Sequence, residues 1–98
     1  MKPVRIRADA EADIERAFHW YETERAGLGV EFRETLRGVL GTVAAKPRMY
    51  PIVGRNTRRA LLRRFPYGVF YQEFSDAIVV VACMHTRRDP RRWRSRID

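Results

Sequence analysis

Ninety-eight residues, 45% of them apolar and 33% charged, supply one hydrophobic core and no material for a second, so a single domain over residues 1–98 is expected. Two histidines and one cysteine show no metal-ligand spacing and imply no cofactor, and Cys83 inside an apolar run reads as a buried thiol, not a disulfide half or a nucleophile. Seven of the eight net positive charges lie in one half: residues 1–54 hold nine Lys/Arg against eight Asp/Glu, residues 55–98 eleven Arg against four acids, a cationic region suited to phosphate backbones or an acidic protein.

Met1 to Arg7 lacks the apolar stretch of a signal peptide, and no segment approaches the roughly 20 residues that cross a bilayer, so a cytoplasmic protein without membrane association is expected. Val4 and Ile6 alternate with Arg5 and Arg7, which predicts a short strand. Asp9 is placed to cap a helix whose stripe is Ala10, Ile14, Ala17, Phe18 and Tyr21. Glu11, Asp13 and Glu15 fall near its positive end. Gly27 should stop it.

After Gly27-Leu28-Gly29 the helical spacing returns in Phe32, Leu36, Val39, Leu40 and Val43. Two matching stripes on a short glycine joint predict an antiparallel helical hairpin. Pro47 and Pro51 bracket its exit, and Gly54 to Asn56 reads as a turn. The period then changes to that of strands over Thr57–Phe65, Val69–Phe74 and Ala77–Met84, joined by Pro66-Tyr67-Gly68 and Ser75-Asp76. The uninterrupted run Ile78 to Met84 suits a strand covered on both faces. From Asp89 the tail is either a helical turn or irregular. The expected fold is α+β: a short N-terminal strand and an antiparallel helical hairpin packed on a three-stranded antiparallel sheet.

Several residues on this frame could carry chemistry. His85 ends the apolar strand and is either a proton donor or acceptor or a strand-end hydrogen-bonding group. His19, beside Trp20 and off the main stripe, reads as structural. Alternation sends Arg59 and Arg63 to one face of their strand and Arg58 and Arg64 to the other, so at least one pair should project into a groove or rim able to clamp phosphates or carboxylates. Solvated charges guarding an edge strand are the bland reading. Tyr67, Phe70, Tyr71 and Trp93 interleave with cations, as in surfaces that stack bases. Phe70 is assigned to packing and Trp93, surrounded by Arg, to partial exposure.

The element order, together with Trp20-Tyr21-Glu22, Gly27-Leu28-Gly29-Val30-Glu31-Phe32, Pro47-Arg48-Met49-Tyr50-Pro51, Arg63-Arg64-Phe65-Pro66-Tyr67-Gly68-Val69-Phe70-Tyr71 and His85-Thr86-Arg87-Arg88-Asp89-Pro90-Arg91-Arg92-Trp93, resembles the RelE/ParE superfamily of toxins. That resemblance implies a growth-inhibiting toxin of a type II toxin-antitoxin pair. Its partner would be a cognate antitoxin, acidic and partly disordered, in a hetero-oligomer. RelE-like members are ribosome-dependent mRNA endoribonucleases, and ParE-like members inhibit DNA gyrase and cleave nothing. For a nuclease the matching positions would make Arg59 and Arg87 phosphate clamps and His85 the proton-transfer group. Arg58, Arg63, Arg64, Tyr67, Tyr71, Arg88, Arg91 and Trp93 would meet the target or the antitoxin. Gly68 and Leu61 stand where the nuclease branch tends to carry basic residues, which favours the ParE-like branch. A non-toxic basic nucleic-acid-binding module is the third reading.

Overall fold

The computed structural model describes residues 1–97. The first apolar stripe forms helix α1 (Ala8–Glu24) after strand β1 (Val4–Ile6), and the second forms α2 (Leu28–Ala45). Arg7, not Asp9, occupies the N-cap. Asp9 lies in the first turn, where its Oδ1 accepts from the Ala10 amide at 2.9 Å and its Oδ2 from Arg7 at 3.0 Å. The joint depends on two glycines for different reasons. Gly27 adopts φ 90°, a conformation that favours a residue without Cβ. At Gly29 an added Cβ would stand 2.6 Å from the Phe18 carbonyl oxygen, so α2 crosses α1 closely there. Glu22 of α1 accepts from the Gly29 and Val30 amides at 2.8 and 3.3 Å, satisfying donors that a helix start leaves open. Backbone hydrogen bonds hold its carboxyl below the ordinary range.

Strands β2 (Ile52–Gly54), β3 (Thr57–Leu61), β4 (Tyr67–Glu73) and β5 (Ile78–His85) follow, then one helical turn, α3 (Arg91–Arg94). The sheet has five strands in the order β1-β5-β4-β3-β2, where three were expected. β1 joins the edge parallel to β5, Val4 opposite Ile78 and Ile6 opposite Val80, while all other pairings are antiparallel. The segment before the Gly54 turn is itself a strand, paired with β3. The expected long strand to Phe65 stops at Leu61, because Arg64 takes φ 69° and the Leu62 amide donates to the Tyr67 carbonyl, closing a tight turn. Alternation therefore does not carry through Arg63 and Arg64.

Both helices cover one face of the sheet, to which Ala60, Val69, Tyr71, Ile78, Val80 and Cys83 contribute. Tyr21 and Phe32 stack at 5.5 Å, and Phe65 meets both edge-on. A register shift between Phe70 and Tyr71 places Ala82 opposite Phe70 but Val80 opposite Tyr71. Val81 thus turns to the other face, where Phe70, Val81, Ala82, Met84 and Trp93 form a second cluster. The expected exposure of Trp93 is corrected: the single turn α3 lays its ring on Phe70, 5.1 Å between centroids and 22° between planes, and leaves it 4% exposed. Its Arg neighbours stay in water.

β1 reaches only the first half of β5, and the open stretch beyond is closed by side chains. Asp13, placed by sequence near the positive end of α1, is only 5% exposed. Its Oδ2 accepts from the Cys83 amide at 3.0 Å, and both its oxygens receive the Arg96 guanidinium at 2.6 and 3.0 Å. Arg96 also donates to the Val81 carbonyl at 3.0 Å, and Arg16 to Asp13 at 2.6 Å. An ion pair thus replaces the missing strand neighbours. Among the described residues no helix is long and apolar enough to cross a membrane.

Candidate functional site

The end of β5, the middle of α1 and the segment after His85 enclose a cavity of about 250 Å³. Its lining combines Arg16, Trp20, Tyr67, His85, Arg88, Arg92 and Arg96 around Asp13. Asp13 pairs directly with both Arg16 and Arg96, its one negative charge shared between them. Arg88 and Arg92 have no acidic partner among the described residues, so the cavity keeps an excess of positive charge. His85 Nδ1 accepts from the Arg87 amide at 3.1 Å, which leaves Nε2 as the proton-bearing nitrogen of the neutral ring. The His85 ring meets Tyr67 edge-on at 5.5 Å. Burial raises the Tyr67 hydroxyl above its usual range, and burial, with Asp13 adding to it, pushes the Cys83 thiol up to about 12. Cys83 therefore remains a neutral packing group at ordinary pH.

Of the residues singled out from sequence, Tyr67, His85 and Arg88 meet in this cavity. Arg16, Trp20, Arg92, Arg96 and Asp13 were missed. A signal for Asp13 was present: it falls three residues after Ala10 and four before Ala17, on the apolar stripe itself.

The other sheet face has its own arginine. Arg59 lies across Gly68, whose added Cβ would stand 3.0 Å from Arg59 Cγ, and the buried Arg59 Nε has no hydrogen-bond partner. Leu61, beside it, is 50% exposed. The absence of a side chain at Gly68 is what makes room for the Arg59 stem. His85 pairs across the strands with Tyr67 and shares its helix-side face, whereas Gly68 and Arg59 look the opposite way. The expected trio Arg59, His85 and Arg87 is therefore not assembled as one constellation: the sheet separates Arg59 from His85, and Arg87 stands exposed beyond β5.

The remaining arginines divide between structural and surface settings. Arg58 donates to the Tyr50 and Arg48 carbonyls at 2.7 and 3.3 Å, tying β3 to the loop after α2. Arg64 pairs with Glu31 at 2.7 Å and, more than any other group, lowers that carboxyl. Arg63 is exposed and lines, with Arg64, Val39, Met49 and Leu61, a groove of about 540 Å³ between α2 and β3. Arg91 forks onto Asp89, holding that carboxyl at about 2. Tyr71 is fully buried, donates to the Pro47 carbonyl at 2.6 Å, and has its hydroxyl pushed up to about 12 by desolvation. Tyr71 and Trp93 have no surface to offer a partner in this arrangement. His19 is exposed, with Nε2 3.4 Å from Glu15.

A helical hairpin on one side of a mixed sheet, a basic tail folded under the other, and cations held at a cavity and a groove define a small α+β protein. The chain belongs to the ParE toxin family: the family model described as "ParE toxin of type II toxin-antitoxin system, parDE" matches residues 4–90. A solved chain described as the chromosomal ParDE TA system from P. aeruginosa shares the fold, with a TM-score of 0.66 at 13% identity, covering 87% of this chain and 96% of that one. Comparison with curated protein sequences finds no match.

Proposed function

We propose that this ParE-family chain arrests growth by binding and inhibiting DNA gyrase in the cytoplasm, without cutting nucleic acid, until a cognate antitoxin captures it in a hetero-oligomer. The observation that carries this reading is the separation of Arg59 from His85 by the sheet, with Gly68 bringing no cation to the Arg59 face. Phosphodiester cleavage needs charge stabilisation and proton transfer focused on one phosphate. These residues lie on two sides of a packed layer. The groove beside Arg63 and Leu61 suits an antitoxin segment that alternates apolar and acidic side chains, and its bound form would order on contact. Arg63, Arg64, Arg88 and Arg91 are the cations offered to that partner or to the target.

Purified gyrase supercoiling a relaxed plasmid is the test. Supercoiling should fall as the toxin is added and return when antitoxin is added. In parallel, a ribosome-containing translation mixture should show intact mRNA. Unchanged supercoiling at saturating toxin, or mRNA cleavage that Arg59→Ala and His85→Ala both abolish, rejects the reading.

A further inference from the structure

We infer that the cavity between α1 and the segment after β5 binds the phosphate monoester of a nucleotide, Arg88 and Arg92 holding the phosphate and the Trp20 indole stacking the base. Four guanidinium groups line the cavity, and the single carboxylate among them, Asp13, is consumed by Arg96 and Arg16. Four positive charges against one negative leave the cavity a net +3, and Arg88 and Arg92, the two lining cations without an acidic partner among the described residues, are free to meet the two charges a phosphate monoester carries at neutral pH. A lone carboxylate would satisfy one of them. Guanidinium forks are also the donors best shaped for several phosphate oxygens at once.

Size and lining select what is attached to the phosphate. About 250 Å³ lies below the usual range for a whole small-molecule site, roughly 300–1,000 Å³. The cavity accepts a phosphate and part of a sugar, and the rest must lie at the mouth. There Trp20 lines the wall while leaving 57% of its surface exposed, an apolar ring that α1 has no use for in its own core. Bases stack on such rings irrespective of sequence. Tyr67 and His85 are also among the lining residues, and the Arg87 amide on His85 Nδ1 leaves Nε2 free to face a ligand. The groove at Arg63 and the Arg59 face take no part; Arg88 alone is shared with the proposed function, and a nucleotide titration without gyrase or antitoxin is read independently of that reading.

The test uses the whole chain, titration calorimetry and tryptophan emission. AMP should bind saturably and change the Trp20 emission, and adenosine should not bind. Arg88→Ala and Arg92→Ala should each weaken AMP about tenfold or more, as expected for a charged hydrogen bond lost. Both residues are exposed and unpaired, so their variants should melt like the parent. Arg37→Ala, which removes the same charge from α2, should leave AMP binding unchanged. Single-stranded oligonucleotides with a 5′-phosphate or a 5′-hydroxyl separate a free nucleotide from a strand end. Binding of the phosphorylated strand without AMP still supports the site and assigns it to strand ends. If neither AMP nor the phosphorylated strand binds, if both strands bind equally, or if Arg37→Ala weakens AMP as much as Arg88→Ala, the site does not exist.

Discussion

Replacing Asp13 with Ala should be among the most damaging single changes in the chain. Its carboxylate is the acceptor for the Cys83 amide and for both ends of the Arg96 fork. An orphaned buried N–H costs about 1–3 kcal/mol, and an uncompensated partner of a buried pair about 3–5 kcal/mol. The lower end applies to Arg96, whose side chain keeps 18% exposure and lies 3.6 Å from Asp9. The sum is about 4 kcal/mol, which for a domain of this size lowers Tm by about 20 °C. Asp13→Asn keeps an oxygen for the Cys83 amide and should lose about half as much. Chemical and thermal unfolding of Asp13→Ala, Arg96→Ala and the double variant form a cycle. The double should be less damaged than the sum of the singles by about 2 kcal/mol. Additive singles, or a loss below about 1 kcal/mol for Asp13→Ala, would show that solvent closes the open edge of β5 as well as this pair does.

Trp93→Ala should cost about 3 kcal/mol by emptying the space over Phe70 and should strip most near-ultraviolet signal contributed by a fixed indole; an unchanged melting curve would contradict the burial of that ring. Gly29→Ala should destabilise by about 1–3 kcal/mol because a backbone oxygen stands in the way, whereas Gly41→Ala, with open space around it, should stabilise α2 by about 0.5–1 kcal/mol; comparing their urea midpoints checks both. At alkaline pH the raised Cys83 and Tyr71 groups favour their neutral forms in the folded state. Their contribution is whole below about pH 9 and is lost as pH rises toward about 12, so Tm measured across that window should fall, and fall less in Cys83→Ala. At the acid end Asp89, Glu22, Glu31 and Glu73 are all depressed. The stability they contribute is present above about pH 4.5 and lost as pH drops toward 2; a flat acid limb in equilibrium melts would refute the assignment.

The helical hairpin was legible because the 3.6-residue period of its apolar stripes is local information, and so was β5, whose run of β-branched valines argues against the competing helix. Pairings that depend on distant chain were not. Nothing near Val4 says that it lies beside Ile78, and β2 is only the three residues Ile52–Gly54, too short for a period. Assuming unbroken alternation from Thr57 to Phe65 misjudged Arg63 and Arg64, since a positive φ at Arg64 ends the strand early. Trp93 was misjudged by its company: one helical turn is enough to bury an indole while three guanidinium neighbours stay wet. The candidate cavity was half legible. Tyr67, His85 and Arg88 are close in sequence to the strand ends that carry them, but Arg16 and Trp20 arrive from α1, across the fold.

The parallel seam between β1 and β5 has a consequence for how the molecule is made. Synthesis proceeds from the amino end, so β1 waits through the whole hairpin and three further strands before its neighbour exists. The Arg96 fork that completes that seam arrives later still. Fragments stalled before residue 78 therefore hold an amphipathic hairpin without β5, the strand on which α1 packs. Such a nascent chain gains its cooperative stability in a late step and remains open to chaperones, proteases or a waiting partner until then.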